Sequence, residues 1–102
     1  MAISQATVGT SATTIYTSSG NSATTVIFLM NNNAAARTVQ IYVVPSGGSA
    51  GVTTQIIKDL VIDGADTYVL NTEKIFLATG DFIQVTASAA TSIYATVSFM
   101  TI

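Results

Sequence analysis

Along most of this chain hydrophobic and polar residues alternate with a period of two. Arg37 to Val44 sets Val39, Ile41 and Val43 against Thr38, Gln40 and Tyr42. Phe82 to Ser88 sets Ile83, Val85 and Ala87 against Phe82, Gln84 and Thr86, and Ser92 to Ile102 sends Ile93, Ala95, Val97 and Phe99 to one side. Successive side chains of a strand point to opposite faces of its sheet, so this alternation predicts half-buried strands. Thr24 to Met30 departs from it, being apolar on both sides, with Val26, Phe28 and Met30 on one face and Ile27 and Leu29 on the other. An antiparallel sandwich covers only one face of a strand. Val26, Ile27, Phe28, Leu29 and Met30 are therefore predicted to touch a neighbouring subunit.

Further extended segments are predicted at Ile3 to Val8, Thr13 to Thr17, Gln55 to Ile62, Asp66 to Leu70 and Lys74 to Ala78. Their Thr, Val and Ile content favours a pleated backbone because a branched Cβ restricts χ1. Polar or small-residue turns separate them: Ser18 to Ser22, Asn31 to Ala36, Pro45 to Gly51, Asp63-Gly64, Asn71 to Glu73, and Thr79 to Asp81. No window carries a capped apolar repeat of helical spacing. The pattern predicts one all-β domain over residues 1–102, an antiparallel β-sandwich of eight or nine strands. A jelly roll is the expected arrangement, with an immunoglobulin-like Greek key as the alternative. The absence of Trp and Cys removes the core tryptophan and inter-sheet disulfide of antibody domains.

Composition sharpens this picture. Of 102 residues, 49% are hydrophobic and 8% charged, and the first charge is Arg37. The longest apolar run, Val26 to Met30, is far short of the roughly 20 residues of a membrane-spanning helix, so no membrane partner is expected. A domain of this size buries only about two thirds of the surface its unfolded chain exposes. The remaining uncharged surface is predicted to pack against other subunits. Arg37, Lys58 and Lys74 are dispersed in a chain of net charge −2, without the basic stripe that nucleic-acid binding requires.

Histidine and cysteine are both absent, which removes zinc centres, thiol nucleophiles, disulfides and imidazole-based triads. The N-terminal residues lack the pattern of a secretory signal, predicting synthesis and use in the cytosol. Asp59, Asp63, Asp66, Glu73 and Asp81 are the only carboxylates. Two of them could form a glycosidase pair, but Asp63 and Asp81 adjoin glycines where Asp serves turn geometry. Asp63 to Asp66 lacks the spacing of an EF-hand, so no cofactor or metal is expected. Tyr16, Tyr42, Tyr68 and Tyr94 suit core packing, with subunit contact, Tyr94 included, and glycan stacking as other uses. Arg37 is either a solvated strand end or half of an intersubunit ion pair. The apolar C-terminus, with Met100 and Ile102, is predicted to be ordered and covered.

The runs Thr38-Val39-Gln40-Ile41-Tyr42-Val43-Val44-Pro45-Ser46-Gly47-Gly48, Asp66-Thr67-Tyr68-Val69-Leu70, Leu77-Ala78-Thr79-Gly80-Asp81-Phe82-Ile83-Gln84-Val85 and Ala95-Thr96-Val97-Ser98 carry a resemblance. From Thr13 onward the chain resembles small β-sandwich virion proteins of tailed bacteriophages, with cyanophage-type examples most similar. The resemblance implies a non-enzymatic accessory protein of the particle, in first place a head-decoration (cement) protein. It implies a homo-oligomer, a trimer by preference, seated on the major capsid protein or other virion proteins. Neck, tail or baseplate placement is the alternative within that family. A carbohydrate-binding host-attachment module is the rival class. Deleting Phe99 to Ile102 is expected to abolish folding or assembly, read from the melting curve and the oligomer size.

Overall fold

The computed structural model describes residues 2–71 and 74–102 and contains strands but no helix among them. Nine strands follow in order: β1 (Ala2–Val8), β2 (Thr13–Thr17), β3 (Ser22–Asn31), β4 (Arg37–Val44), β5 (Gln55–Ile62), β6 (Thr67–Leu70), β7 (Phe76–Leu77), β8 (Phe82–Ala87) and β9 (Ile93–Thr101). They match the alternating segments closely. The stretch from Lys74 shrinks most, to the two residues of β7, and the predicted break at Thr72 and Glu73 lies outside the described residues.

Two antiparallel sheets pack into a β-sandwich. One runs β1-β9-β3-β6, with β7 also pairing with β3, and the other runs β2-β8-β4-β5. The pairing runs from the chain's outer strands inward: β1 pairs with β9, β2 with β8, β3 with β6, and the consecutive β4 with β5. The chain is thus one long set of nested antiparallel pairs distributed over two layers.

The inward parity of each strand fills the core. Ile27 and Leu29 from β3, Val39 and Ile41 from β4, Ile83 and Val85 from β8, and Ile93 and Val97 from β9 are all buried in one cluster. β5 cannot follow simple alternation, because its pairing with β4 shifts register between Val39 and Ile41 and again between Ile41 and Tyr42. These bulges let Ile57 and Leu60 pack on the core while Gln55 and Asp59 share the outer face.

Both ends of β3 are tied to the opposite sheet. At its start the Tyr16 hydroxyl donates to Ser22 Oγ at 2.8 Å, and the Tyr16 ring lies 4.2 Å from that of Phe99. At its end Asn31 is fully buried, its Nδ2 within 3.0 Å of the Ala35 and Ile62 carbonyls and 3.2 Å of that of Asp63. Asn31 Oδ1 accepts from Asn33 N–H at 3.0 Å. A residue expected in a polar loop is therefore a buried inter-sheet clasp. In the Asp63-Gly64 turn the left-handed residue is the following Ala65, at φ 58°. Glycine is needed at 64 because a Cβ there would run into the Ala34 carbonyl.

Removing the Asn31 amide strands several buried carbonyls, whose desolvation is no longer repaid. Asn31→Ala is expected to lower the unfolding free energy by about 2–3 kcal/mol in a urea titration.

Candidate functional site

Charge is not only scarce in this molecule but segregated. No strand of the five-stranded sheet contains a charged residue. Arg37, Lys58 and Asp59 belong to strands of the other sheet, and Asp63, Asp66, Lys74 and Asp81 lie outside the strands. The strand residues of this sheet's outer face are thus apolar, hydroxyl or amide side chains, and charge reaches the sheet from the β6–β7 edge, where Lys74 Nζ donates to the Thr25 carbonyl of β3 at 3.2 Å.

Strand parity decides which these are. With Ile27 and Leu29 inward, β3 turns Val26, Phe28 and Met30 outward, and the register places Val69 and Thr96 on either side of Phe28. Met30 stands between Thr67 and Tyr94 by the same pairing. At the other end of β3, Phe76 and Met100 flank Ala23. Phe28, Met30, Val69 and Met100 are 39–44% exposed, and Phe76 reaches 73%. Ile102 is 69% exposed and, with Phe76, Leu77, Ala78, Asn21 and Ser22, lines a groove of about 320 Å³ that prolongs this stripe. Towards β1 the face carries Gln5, Thr7, Thr96 and Tyr94 around a shallow depression of about 430 Å³, with Ile3 at the same parity 63% exposed.

The predicted contact residues therefore separate into two groups. Phe28, Met30, Met100 and Ile102 are exposed on or beside this face, joined by the half-buried Val26 and Tyr94. Ile27 and Leu29 are not part of it, because they are 1% and 0% exposed within the chain's own core. The C-terminal strand is ordered, lying between β1 and β3, yet Met100 and Ile102 are not covered. Val69 and Phe76 were missed as contact residues. Their signal was an apolar side chain at outward parity next to a buried one, in Tyr68-Val69-Leu70 and Phe76-Leu77.

The other candidate chemistry does not converge. Tyr16 is in the core and Tyr68 packs against it, while Tyr42 and Tyr94 occupy opposite outer faces, so the four tyrosines form no common platform. Among the described residues no three acidic groups gather to hold a metal ion, and Glu73 lies outside those residues. Arg37 donates through Nε to Ser92 Oγ at 3.2 Å and through a terminal nitrogen to the Ala36 carbonyl.

Asp81 holds two loops together. Its carboxylate accepts from Ala78 N–H and from Ser46 N–H, each at 2.9 Å, pinning the start of the Pro45 to Gly51 loop to the turn before β8. A left-handed glycine at 80, φ 88°, lets that turn approach Ser46, whose Oγ would lie 2.6 Å from an added Cβ. The loop is further closed by Gly48 N–H to the Pro45 carbonyl and by Thr54 Oγ1 against Gly51.

Comparison of the chain with protein-family models, curated proteins and solved structures finds no match.

The Ala78 N–H, followed by the Ser46 N–H, holds the Asp81 carboxyl below the ordinary range. A carboxylate with a depressed folded pKa stabilises above its unfolded pKa of about 3.9 and loses that contribution as pH falls through the folded value. The melting-temperature gap between the wild type and Asp81→Asn should accordingly be widest above about pH 5 and close on further acidification. A gap independent of pH would refute this.

Proposed function

We propose that the protein is a non-enzymatic structural component of a bacteriophage particle, working by burying the uncharged outer face of its five-stranded sheet against neighbouring subunits. The observation that carries this reading is the stripe of Phe28, Met30, Val69, Phe76 and Met100 on a sheet without a single charged residue. Monomeric proteins seldom leave so many large apolar side chains exposed on one face unused. Interface cores are depleted of charge and enriched in aromatic residues and methionine, because ions are costly to desolvate and large apolar side chains gain most from burial.

The nested pairing of β1 with β9, β2 with β8, β3 with β6, and β4 with β5 supports a jelly roll as the finer description of the sandwich. Together with the resemblance to phage virion proteins, this favours a head-decoration (cement) protein. It would assemble in the host cytoplasm as a homo-oligomer, a trimer by preference, and seat on the major capsid protein. Neck, tail or baseplate is the second placement, on other virion proteins. No step of this function calls for a cofactor, a nucleic acid or a membrane.

Electron microscopy of intact particles carrying the labelled protein tests the placement: the proposal expects a lattice over the head, whereas a ring at the neck or a cluster at the baseplate selects the alternative. Phe28→Asp with Met30→Asp tests the surface. The double variant is expected to stay folded, to sediment as a monomer and to lose particle association by at least about tenfold, some 1.4 kcal/mol. Unchanged assembly by a folded variant would exclude this face.

A further inference from the structure

The four-stranded sheet has an outer face of different chemistry. The chain contains four glutamines, and three of them meet there around one aromatic ring. Tyr42 of β4 is directly opposite Gln84 of β8 on one side and Gln55 of β5 on the other. Gln40 precedes it by two residues on the same strand and so shares its face. At the fourth side stands Val44, buried beneath the Pro45 to Gly51 loop, with Gly48 packed near its side chain. A half-buried ring is thus framed by carboxamides on three sides and by a loop wall on the fourth.

The carboxamides are held in place before any ligand arrives. Gln40 Oε1 accepts from Gln55 Nε2 at 2.7 Å and from Asp59 N–H at 3.0 Å, while Gln40 Nε2 donates to Asp59 Oδ1 at 2.6 Å. Asp59 takes part through a left-handed backbone, φ 55°, at the β5 bulge, a conformation that is costly for a residue with a side chain. Gln84 Nε2 is anchored on Thr14 Oγ1 at 3.0 Å. Each of these groups retains hydrogen-bonding capacity, since a carboxamide offers two donors and two acceptor lone pairs. The result is an ordered, mixed donor and acceptor surface beside an aromatic ring.

We propose that this face is a shallow binding site for a neutral saccharide. A pyranose has an apolar C–H face that can rest on Tyr42 and vicinal hydroxyls that each donate and accept, as the surrounding carboxamides do. Prior ordering of Gln40, Gln55 and Asp59 lowers the entropy lost on binding. An anionic ligand fits less well, because Asp59 in the network and its neighbour Lys58 on β5 offset each other and the guanidinium of Arg37 is engaged by Ser92 and Ala36, leaving no net positive charge. Nucleotides would need several cationic partners for their phosphates. The inference is independent of the assembly reading, which uses the opposite face.

The test is an NMR titration of the full chain with lactose, maltotriose and cellotriose, with sialyllactose and a dinucleotide as charged comparators. At about 10 mM a site with a Kd near 1 mM is about nine-tenths occupied. At least one neutral sugar is expected to shift the side-chain amides of Gln40, Gln55 and Gln84 together with Tyr42. Tyr42→Ala and Gln84→Ala should each weaken binding at least about tenfold. Phe28→Asp, on the other face, should leave it unchanged. Shifts confined to other residues, an equal response in a folded Gln84→Ala variant, or response to the dinucleotide alone would overturn the proposal. Silence with every neutral sugar would overturn it too.

Discussion

A sandwich of two sheets has one interior, and each strand can send only alternate residues into it. The rest of this structure depends on how β3 meets that constraint. Ile27 and Leu29 occupy the core, so Phe28 and Met30 have to face out. A slip of one residue would exchange the two sets, since side-chain parity and register are locked together. The Tyr16–Ser22 hydrogen bond at one end and the Asn31 amide at the other forbid that slip, because each would lose its partners across the core. The outward apolar residues are therefore fixed by the same contacts that fix the core.

Folding alone does not call for Phe and Met at those positions. The adjacent strand β9 meets the same constraint with Thr96 and Ser98 outward, side chains that serve a pleated backbone and hydrate readily. β5, the far edge of the other sheet, carries Lys58, Asp59 and two register shifts, the usual means of discouraging unwanted strand pairing. Charge is thus placed where this chain keeps partners away. Its absence from the strands of the five-stranded sheet, beside large apolar side chains, is what supports the proposed assembly role.

Much of the fold was legible because alternation is a local signal. β4, β8 and β9 are read correctly to their inward residues, and the two faces of β3 are correctly separated. What the pattern could not say is which face of β3 is inside. That depends on Asn31, a residue that reads as loop in a run of three asparagines but finds its carbonyl partners on the Ala35 loop and at the end of β5. The bulges of β5 were illegible for a related reason: nothing local in Gln55 to Ile62 announces the register that β4 imposes. Tyr42 and Gln84 each appear on the polar side of an alternating strand, yet their adjacency is a long-range pairing of β4 with β8. The exposed C-terminal residues show the limit of composition, since apolar character was visible but not whether this chain itself would cover it.

The two outer faces differ in what water can do for them. On the five-stranded face, hydration of Phe28, Met30 and Phe76 returns little, and association is the way to remove that surface from solvent. On the four-stranded face the carboxamides are well hydrated, and only a ligand that replaces water's donors and acceptors in kind can compete. The faces also point in opposite directions, away from the shared core. An assembly formed through the five-stranded sheet would leave Tyr42 and its glutamines on the outside. Occupancy of one face therefore does not obstruct the other, and copies held side by side would repeat a weak site at close spacing, which raises avidity without any new contact.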